Sequence, residues 1–155
     1  LDVRQFEVFS VCTPRFWRLR SDVVLSLFTH LKTYGSQALL VSHDVDVCRG
    51  ASSHSITCVV SRYYHNMSDP ELALDPDTMM SKERWLVILH FLERGRSIIH
   101  CGADVRFTQP PKRMIEASSA FDGAFDGIVD KLRRIVVHFT PDLLLLNPTP
   151  NGTPP

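Results

Sequence analysis

The sequence predicts an α/β fold in which a mostly parallel sheet is flanked by helices. Strand-like apolar segments alternate with helix-like segments along the chain, the pattern typical of β-α-β units. Twice, a helix-like segment ends at a glycine and leads into a short apolar strand that is followed by an acid, first Asp44 and then Asp104. Because ligands bind beyond the carboxyl ends of strands in open α/β sheets, these acids predict a site at one edge of the sheet.

The first half of the chain alternates strand and helix. Residues 6–12 are rich in β-forming residues and precede a Thr-Pro break, so they predict the first strand. Residues 16–34 carry apolar side chains at three- and four-residue spacing and are followed by a glycine, which indicates a helix with one buried stripe. Residues 38–42 and 55–63 predict two further strands, with a polar loop between them.

The second half is expected to open with a loop over residues 65–80, because asparagine, aspartate and proline are frequent there. A helix follows from Ser81 to Gly95, and residues 97–100 predict the fourth strand. The buried face of this helix is expected to hold Trp85, Ile88, Leu89 and Leu92. Beyond it we predict a short helix at 113–117, turns at 122–123 and 126–127, helix or strand at 128–139, and a final strand at 143–146.

Length and composition indicate a single domain. The chain has 155 residues, and we predict an α/β domain over residues 1–146 with a proline-rich tail or linker over 147–155. Lysine and arginine total 17, as do aspartate and glutamate, so no overall basic field would bind nucleic acid or an anionic membrane. The apolar runs are far shorter than the roughly 20 residues that span a bilayer. Because the chain starts at Leu1 without a leader-like segment, we expect a processed product or a piece of a longer protein.

Cysteine usage leaves the redox state open. The four cysteines lack C-x-x-C spacing, which argues against a zinc ribbon or a thioredoxin-like site. One or two disulfides and buried free thiols are both compatible with the sequence at Cys12, Cys48, Cys58 and Cys101. Two glycosylation sequons, at Asn66 and Asn151, would suit a secretory protein.

A pair of acids follows the second predicted strand. In an extended backbone, side chains alternate with period two, so Asp44 and Asp46 would project to the same side. Two such carboxylates predict a Mg²⁺ or Mn²⁺ site whose shell is completed by substrate phosphates, the alternative being a solvated loop. Metal-dependent carbohydrate deacetylases can carry a similar pair, but they also need two histidines at i, i+4 spacing, which this sequence lacks.

One long segment resembles a known family. Its features are an opening strand that ends in threonine, a later strand that ends in an acid, a lysine-led helix that ends in glycine, and an apolar strand leading to an acid, an aromatic residue and a proline. They occur at Thr13, Asp44, Lys82, Gly95, Ile98-Ile99, Asp104, Phe107 and Pro110. On these residues, positions 6–109 resemble the nucleotide-diphospho-sugar transferase domain of plant and algal cell-wall glycosyltransferases of the family 77 type.

The resemblance implies a fold, an activity and a site. The fold would be of the GT-A, Rossmann-like type. The activity would be transfer of a sugar from a nucleotide-diphosphate donor to a hydroxyl of a glycan or glycoprotein, in the Golgi lumen or secretory pathway, with Mn²⁺ or Mg²⁺ on the diphosphate. The residues implied to bind the donor are Thr13, Asp44, Lys82 and Asp104, and Asp104 is also implied to bind the metal. Asp46, from the acid pair after the second predicted strand, is the other candidate metal ligand.

The chain departs from the family at the metal motif. Where the family has S-D-x-D-V, this sequence has Gly102 in place of the first aspartate and retains Asp104 alone. A non-catalytic, transferase-like binding module is therefore the second hypothesis, and no catalytic base is evident beyond Asp122, Asp126 and Asp130.

Several candidate residues have plainer interpretations. Asp104 can be a turn acid, Lys82 a surface lysine, and His100 a core histidine. The two tryptophans are expected in the core rather than as sugar-stacking platforms. The histidines His43, His54 and His100 lie on separate segments, which argues against zinc. Arginines near the start of the first helix can meet phosphate or form a solvated face, namely Arg15, Arg18 and Arg20.

Overall fold

A computed structural model of the protein describes residues 5–61, 76–119, 138–140 and 143–146. The strands are β1 (Val8–Val11), β2 (Ala38–Ser42), β3 (Cys58–Val60), β4 (Ile98–Cys101), β5 (His138–Thr140) and β6 (Leu143–Leu146). The helices are α1 (Pro14–Thr33), α2 (Val45–Ser53), α3 (Pro76–Leu92) and α4 (Pro111–Ser119). No helix among these residues is both long and apolar enough to cross a membrane.

The strands form one sheet in the order β3-β2-β1-β4-β6-β5. The first four strands of that order are parallel, with Val8 opposite both Ala38 and Ile99, whereas β6 runs antiparallel to β4 and β5 antiparallel to β6. The predicted α/β class is confirmed. Because β1 lies between β2 and β4, the strand order reverses there, as it does at the centre of doubly wound sheets.

Side-chain alternation along the strands divides the core into two layers. Val8 and Leu40 belong to the layer that packs against α1 and α2. Their neighbours Phe9 and Val41 belong to the opposite layer, with Ile88 of α3. The sheet is therefore covered by helices on both faces, so a ligand site is expected at the strand ends.

Helix α1 confirms the predicted first helix and begins two residues earlier. The Oγ1 atom of Thr13 accepts a hydrogen bond from the backbone N–H of Phe16 at 3.0 Å, and Pro14 occupies the first turn, where its missing N–H costs nothing. The backbone of Arg20 is not helical, so α1 is kinked there. Gly35 follows the helix with φ of +69°, a conformation that glycine adopts without strain.

Helix α2 was predicted as a polar loop, and that prediction is wrong. The predicted loop contained Gly50, but this glycine is a packing residue, because a Cβ atom at this position would lie 2.9 Å from Cζ2 of Trp17. The ring of Trp17 therefore packs closely on α2, as its expected core role requires. A disulfide joins α2 to β3 through Cys48 and Cys58, while Cys12 and Cys101 are free and buried.

Helix α3 begins at Pro76 rather than at Ser81, and its buried face differs from the predicted one. Ile88 is buried as expected, but Trp85 is 43% exposed and Leu89 49% exposed. The prediction was wrong for these two because apolar residues lie on every side of the helix, so spacing alone could not select the face that packs on the sheet. The side chain of Leu92 lies outside the described set.

The end of the chain is described in part. The helix predicted at 113–117 is confirmed as the longer α4, and the strand predicted at 143–146 is confirmed as β6. Residues 138–140 form a strand, which settles that end of the ambiguous segment. The predicted turns at 122–123 and 126–127, the three late aspartates, both sequons and the tail at 147–155 lie outside the described residues.

Candidate functional site

The carboxyl ends of β1, β2 and β4 lie at one edge of the parallel sheet. Thr13, Asp44 and Asp104 follow these strands, so the topology brings three predicted site residues to the same edge. The strand order reverses between β1 and β4, and the crevice beyond such a reversal is where doubly wound sheets bind ligands. The topology places these three residues at one edge of the sheet, while a ligand site there and the role of each residue stay predictions.

Two of these residues have structural roles as helix caps. The Oγ1 atom of Thr13 caps α1, as described above. The Oδ1 atom of Asp44 accepts hydrogen bonds from the backbone N–H groups of Asp46 at 2.7 Å and Val47 at 3.1 Å, and so caps α2. Both caps satisfy backbone donors that would otherwise lack partners at a helix start.

Replacing Asp44 with alanine is expected to lower the free energy of unfolding by about 1 kcal/mol, because two backbone donors of α2 lose their acceptor. Asp44→Asn is the matched control, since its side-chain oxygen can still accept these bonds. Urea unfolding of both variants measures the difference. Equal stability of the alanine and asparagine variants would contradict a capping role.

The two acids of the predicted metal pair do not share one side of an extended segment. Helix α2 begins at Val45, so the backbone directly after Asp44 is helical rather than extended as the prediction required. Asp46 is 80% exposed at its side chain and forms an ion pair with Arg49. Across the described ranges, no group of three or more histidine, cysteine, aspartate or glutamate side chains could hold a metal ion. The implied Mn²⁺ or Mg²⁺ therefore stays a prediction.

Asp104 is exposed on a turn that follows β4. The turn is closed by a hydrogen bond from the N–H of Val105 to the carbonyl of Gly102 at 3.2 Å. Burial raises the pKa of the Cys101 thiol on β4 to about 12, and the negative charge of Asp104 adds to this shift. Burial also raises the pKa of Cys12 to about 12, so neither free thiol is a nucleophile at neutral pH.

The segment after this turn is fixed to α1. The guanidinium of Arg106 donates to Ser26 Oγ at 3.0 Å. The backbone carbonyl oxygen of Phe107 accepts a hydrogen bond from the hydroxyl of Tyr34 at 2.9 Å. The backbone nitrogen of Phe107 lies 3.2 Å from Nε2 of His30. These contacts hold the segment that carries Asp104 in one position relative to the first helix.

The basic candidates lie on exposed surfaces. Lys82 is exposed within α3 rather than at its start, so this helix is not led by lysine as the resemblance implies. Arg15 and Arg18 are exposed in the first turns of α1, where the first turn contains no acid. Arg20 is paired with Asp22, their Nε and Oδ1 atoms lying 3.5 Å apart.

Sequence reasoning missed a buried carboxyl group on α3. Glu83 is 1% exposed, and neither carboxylate oxygen has a hydrogen-bond partner among the described residues. Burial raises its pKa to about 7. Glu83 lies four and eight residues before Val87 and Phe91, which pack in one layer of the core, but apolar residues on every side of α3 prevented this spacing from identifying the buried face.

His100 is the core histidine that the sequence suggested. It is 7% exposed on β4, and its ring packs edge-on against Phe9 with centroids 5.0 Å apart. Burial and, second, the charge of Arg84 lower its pKa to about 4, so the ring is neutral at pH 7. Its Nδ1 atom has no hydrogen-bond partner in the part of the chain that the structure describes.

A cleft of about 420 Å³ lies at the opposite edge of the sheet, near the start of β2. It is lined by the end of α1 and the connection from α2 to β3, including Phe28, Lys32, His54 and Ile56. This cleft is separate from the edge that carries Asp104. His54 lines it while His100 lies under α3, so these two of the three histidines considered for zinc are not brought together.

The strand order and the helices on both faces of the sheet define a doubly wound α/β domain. Comparison with known family models and with curated protein sequences finds no match to this chain. The resemblance to family 77 glycosyltransferases stays a prediction.

Proposed function

We propose that this chain is a glycosyltransferase domain of GT-A type that binds a nucleotide-diphosphate sugar at the carboxyl ends of β1 and β4 and transfers the sugar to a glycan or glycoprotein hydroxyl. The observation that carries the proposal is the reversal of strand order between β1 and β4, with Asp104 directly after β4. The resemblance of the segment around Asp104 to the family favours a sugar nucleotide as the ligand.

Two further observations support this proposal. The segment after Asp104 is fixed to α1 by Arg106 and Phe107, and such rigidity favours precise positioning of a donor. The Cys48–Cys58 disulfide favours an oxidising compartment, in keeping with the proposed location in the Golgi lumen or secretory pathway.

The carboxylates in the described part of the chain offer few ligands for a cation at the proposed site. Asp104 is exposed and Asp46 is paired with Arg49, so these residues form no closed set of ligands. A Mn²⁺ or Mg²⁺ ion at Asp104 would take most of its ligands from water and phosphate oxygens.

Calorimetric titration with uridine and guanosine diphosphate sugars tests the proposal. We expect saturable binding, and we expect Asp104→Asn to weaken donor binding in the presence of Mn²⁺, because the carboxylate that would hold the ion beside the diphosphate is lost. Asp22→Asn is the matched control, since Asp22 is an exposed acid already paired with Arg20. The absence of heat for every nucleotide sugar tested, with and without Mn²⁺, would contradict a donor site.

A second candidate is a non-catalytic binding module, which Gly102 favours. The described glycines with positive φ are Gly35 and Gly95, so aspartate can adopt the backbone conformation of Gly102. Under this alternative, Gly102→Asp gains Mn²⁺ binding that the native chain lacks, with Gly102→Asn as the neutral control. Strong Mn²⁺ binding by the native chain would argue against the module.

A further inference from the structure

We propose that the cleft near the start of β2 binds a small carboxylate with an apolar body, at a site separate from the strand ends that carry Asp104. The cleft measures about 420 Å³, a volume typical of small-molecule sites. It lies between the end of α1 and the connection from α2 to β3. Such a site would exist whether or not the chain transfers a sugar.

The lining of the cleft combines a buried apolar part with an exposed polar part. Phe28 and Ile56 line it as buried residues, and Leu25 lines it as a half-buried one. Lys32 and His54 line it as exposed residues. Small-molecule sites are typically built in this way, because apolar walls supply affinity and a few polar groups fix the orientation of the ligand.

The side chains of the lining favour an anion. Among the described residues that line the cleft, Lys32 carries a full charge and no side chain is an acid. The ammonium of Lys32 can pair with a carboxylate, and the imidazole of His54 can donate an N–H to the same group. The apolar residues then receive the body of the ligand.

Two helices end at this cleft, and the carbonyl oxygens at a helix end favour a cation. Here capping hydrogen bonds already engage these oxygens. The carbonyls of Leu31 and Lys32 at the end of α1 accept from N–H groups that follow the helix, and those of Ala51 and Ser52 do so at the end of α2. The groups left for a ligand are therefore the donors of the lining, which suit an anion.

The backbone of Ser55 is a second observation that points to a ligand. Ser55 follows α2 with φ of +59° and lines the cleft. Helices α1 and α3 end with the same hydrogen bond, from an N–H to the carbonyl five residues earlier, but they have glycine at this position, Gly35 and Gly95. A side chain with positive φ is strained, and such strain is typical of binding sites. We therefore expect the Ser55 hydroxyl to donate to the bound carboxylate.

NMR titration of the isotope-labelled full chain tests the ligand class. The probes are phenylbutyrate and octanoate, and the matched neutral ligands are their amides. We expect saturable shifts of the backbone N–H signals of Lys32 and Ile56 but not of Asp104, and binding of each acid about threefold tighter than that of its amide. Lys32→Gln should abolish this preference for the acid. Lys112→Gln is the control, since it removes the same charge from an exposed position on α4.

Substitutions of Ser55 separate binding from folding. Ser55→Gly should weaken binding of the carboxylates by about tenfold, the effect of losing one hydrogen bond to a charged group. The same variant should melt about 3 °C higher, because glycine adopts positive φ without strain. Ser55→Ala should weaken binding equally without this rise in melting temperature. A Ser55 side chain with only a structural role would not lower affinity while its removal raises stability.

The outcomes decide the proposal. Saturable binding at the cleft that prefers the acids, with a preference that depends on Lys32, supports it. If neither carboxylate shifts the cleft signals up to its solubility limit, or if both shift only signals at the Asp104 edge, the proposal is overturned. Equal affinity for acid and amide, or affinity that Lys32→Gln and Ser55→Ala both leave unchanged, also overturns it. Thermal unfolding of each variant shows that a lost signal is not a lost fold.

Discussion

Replacing Glu83 with glutamine is expected to stabilise the protein above pH 7 by about 3 kcal/mol and to leave its stability below pH 4.5 nearly unchanged. Burial raises the pKa of this carboxyl from 4.5 in its ordinary surroundings to about 7. The folded state therefore binds a proton more tightly than the unfolded state does. The free energy of unfolding falls as pH rises from 4.5 to 7, and glutamine, which cannot ionise, removes that loss.

Urea unfolding at a series of pH values measures this effect directly. Glu93→Gln is the matched control, because Glu93 is an exposed carboxylate directly after the same helix. It removes one negative charge without touching the core. A Glu83→Gln variant that is less stable than the native chain above pH 7 would show that the carboxylate is stabilised by a charged partner, and would contradict the prediction.

The order of elements and their class could be predicted because strand and helix periods are local properties of the sequence. The first helix is an example, since its apolar spacing and the glycine at its end are both visible in the chain. The second helix was not predicted because its residues were interpreted as a polar loop. Asp44 is a helix cap, and Gly50 is kept small by the ring of Trp17, which is distant in sequence.

The buried face of α3 shows where sequence periodicity stops being informative. When apolar residues lie on every side of a helix, the packed face is chosen by contacts with the sheet, here with Phe6, Phe9 and Ile98. Trp85 and Leu89 were therefore expected inside and lie outside. The same contacts place Glu83 in the interior, which a rule that charged residues are exposed would not predict.

That the candidate residues lie at one edge of the sheet was predictable, but their local contacts were not. An acid after an apolar strand identifies a strand end, and the sheet order then identifies the edge at which β1, β2 and β4 end. What each acid does depends on the backbone around it. Asp44 accepts two backbone hydrogen bonds and Asp46 pairs with Arg49, and both outcomes follow from a helix that was not predicted.

Replacing His100 with phenylalanine is expected to stabilise the protein at pH 4 by about 3 kcal/mol and to change little above pH 6.5. The pKa of His100 falls from 6.5 to about 4, so the unfolded state binds the proton more tightly and the native chain loses stability as pH falls through this range. Phenylalanine keeps an aromatic ring beside Phe9, and the Nδ1 atom that is removed has no hydrogen-bond partner within the described ranges.

The two buried groups oppose each other between pH 4.5 and 6.5, because Glu83 stabilises the fold at the acid end of this window and His100 at the basic end. From these two groups alone, the stability of the native chain should be nearly flat there. In each variant the pH dependence due to the remaining group should become visible, so that stability rises with pH in Glu83→Gln and falls with pH in His100→Phe. His54→Gln, at an exposed position, is the control for loss of an imidazole. Parallel pH profiles of the two core variants would contradict both assignments, because opposite slopes follow only if the folded carboxyl retains its proton and the folded imidazole lacks one.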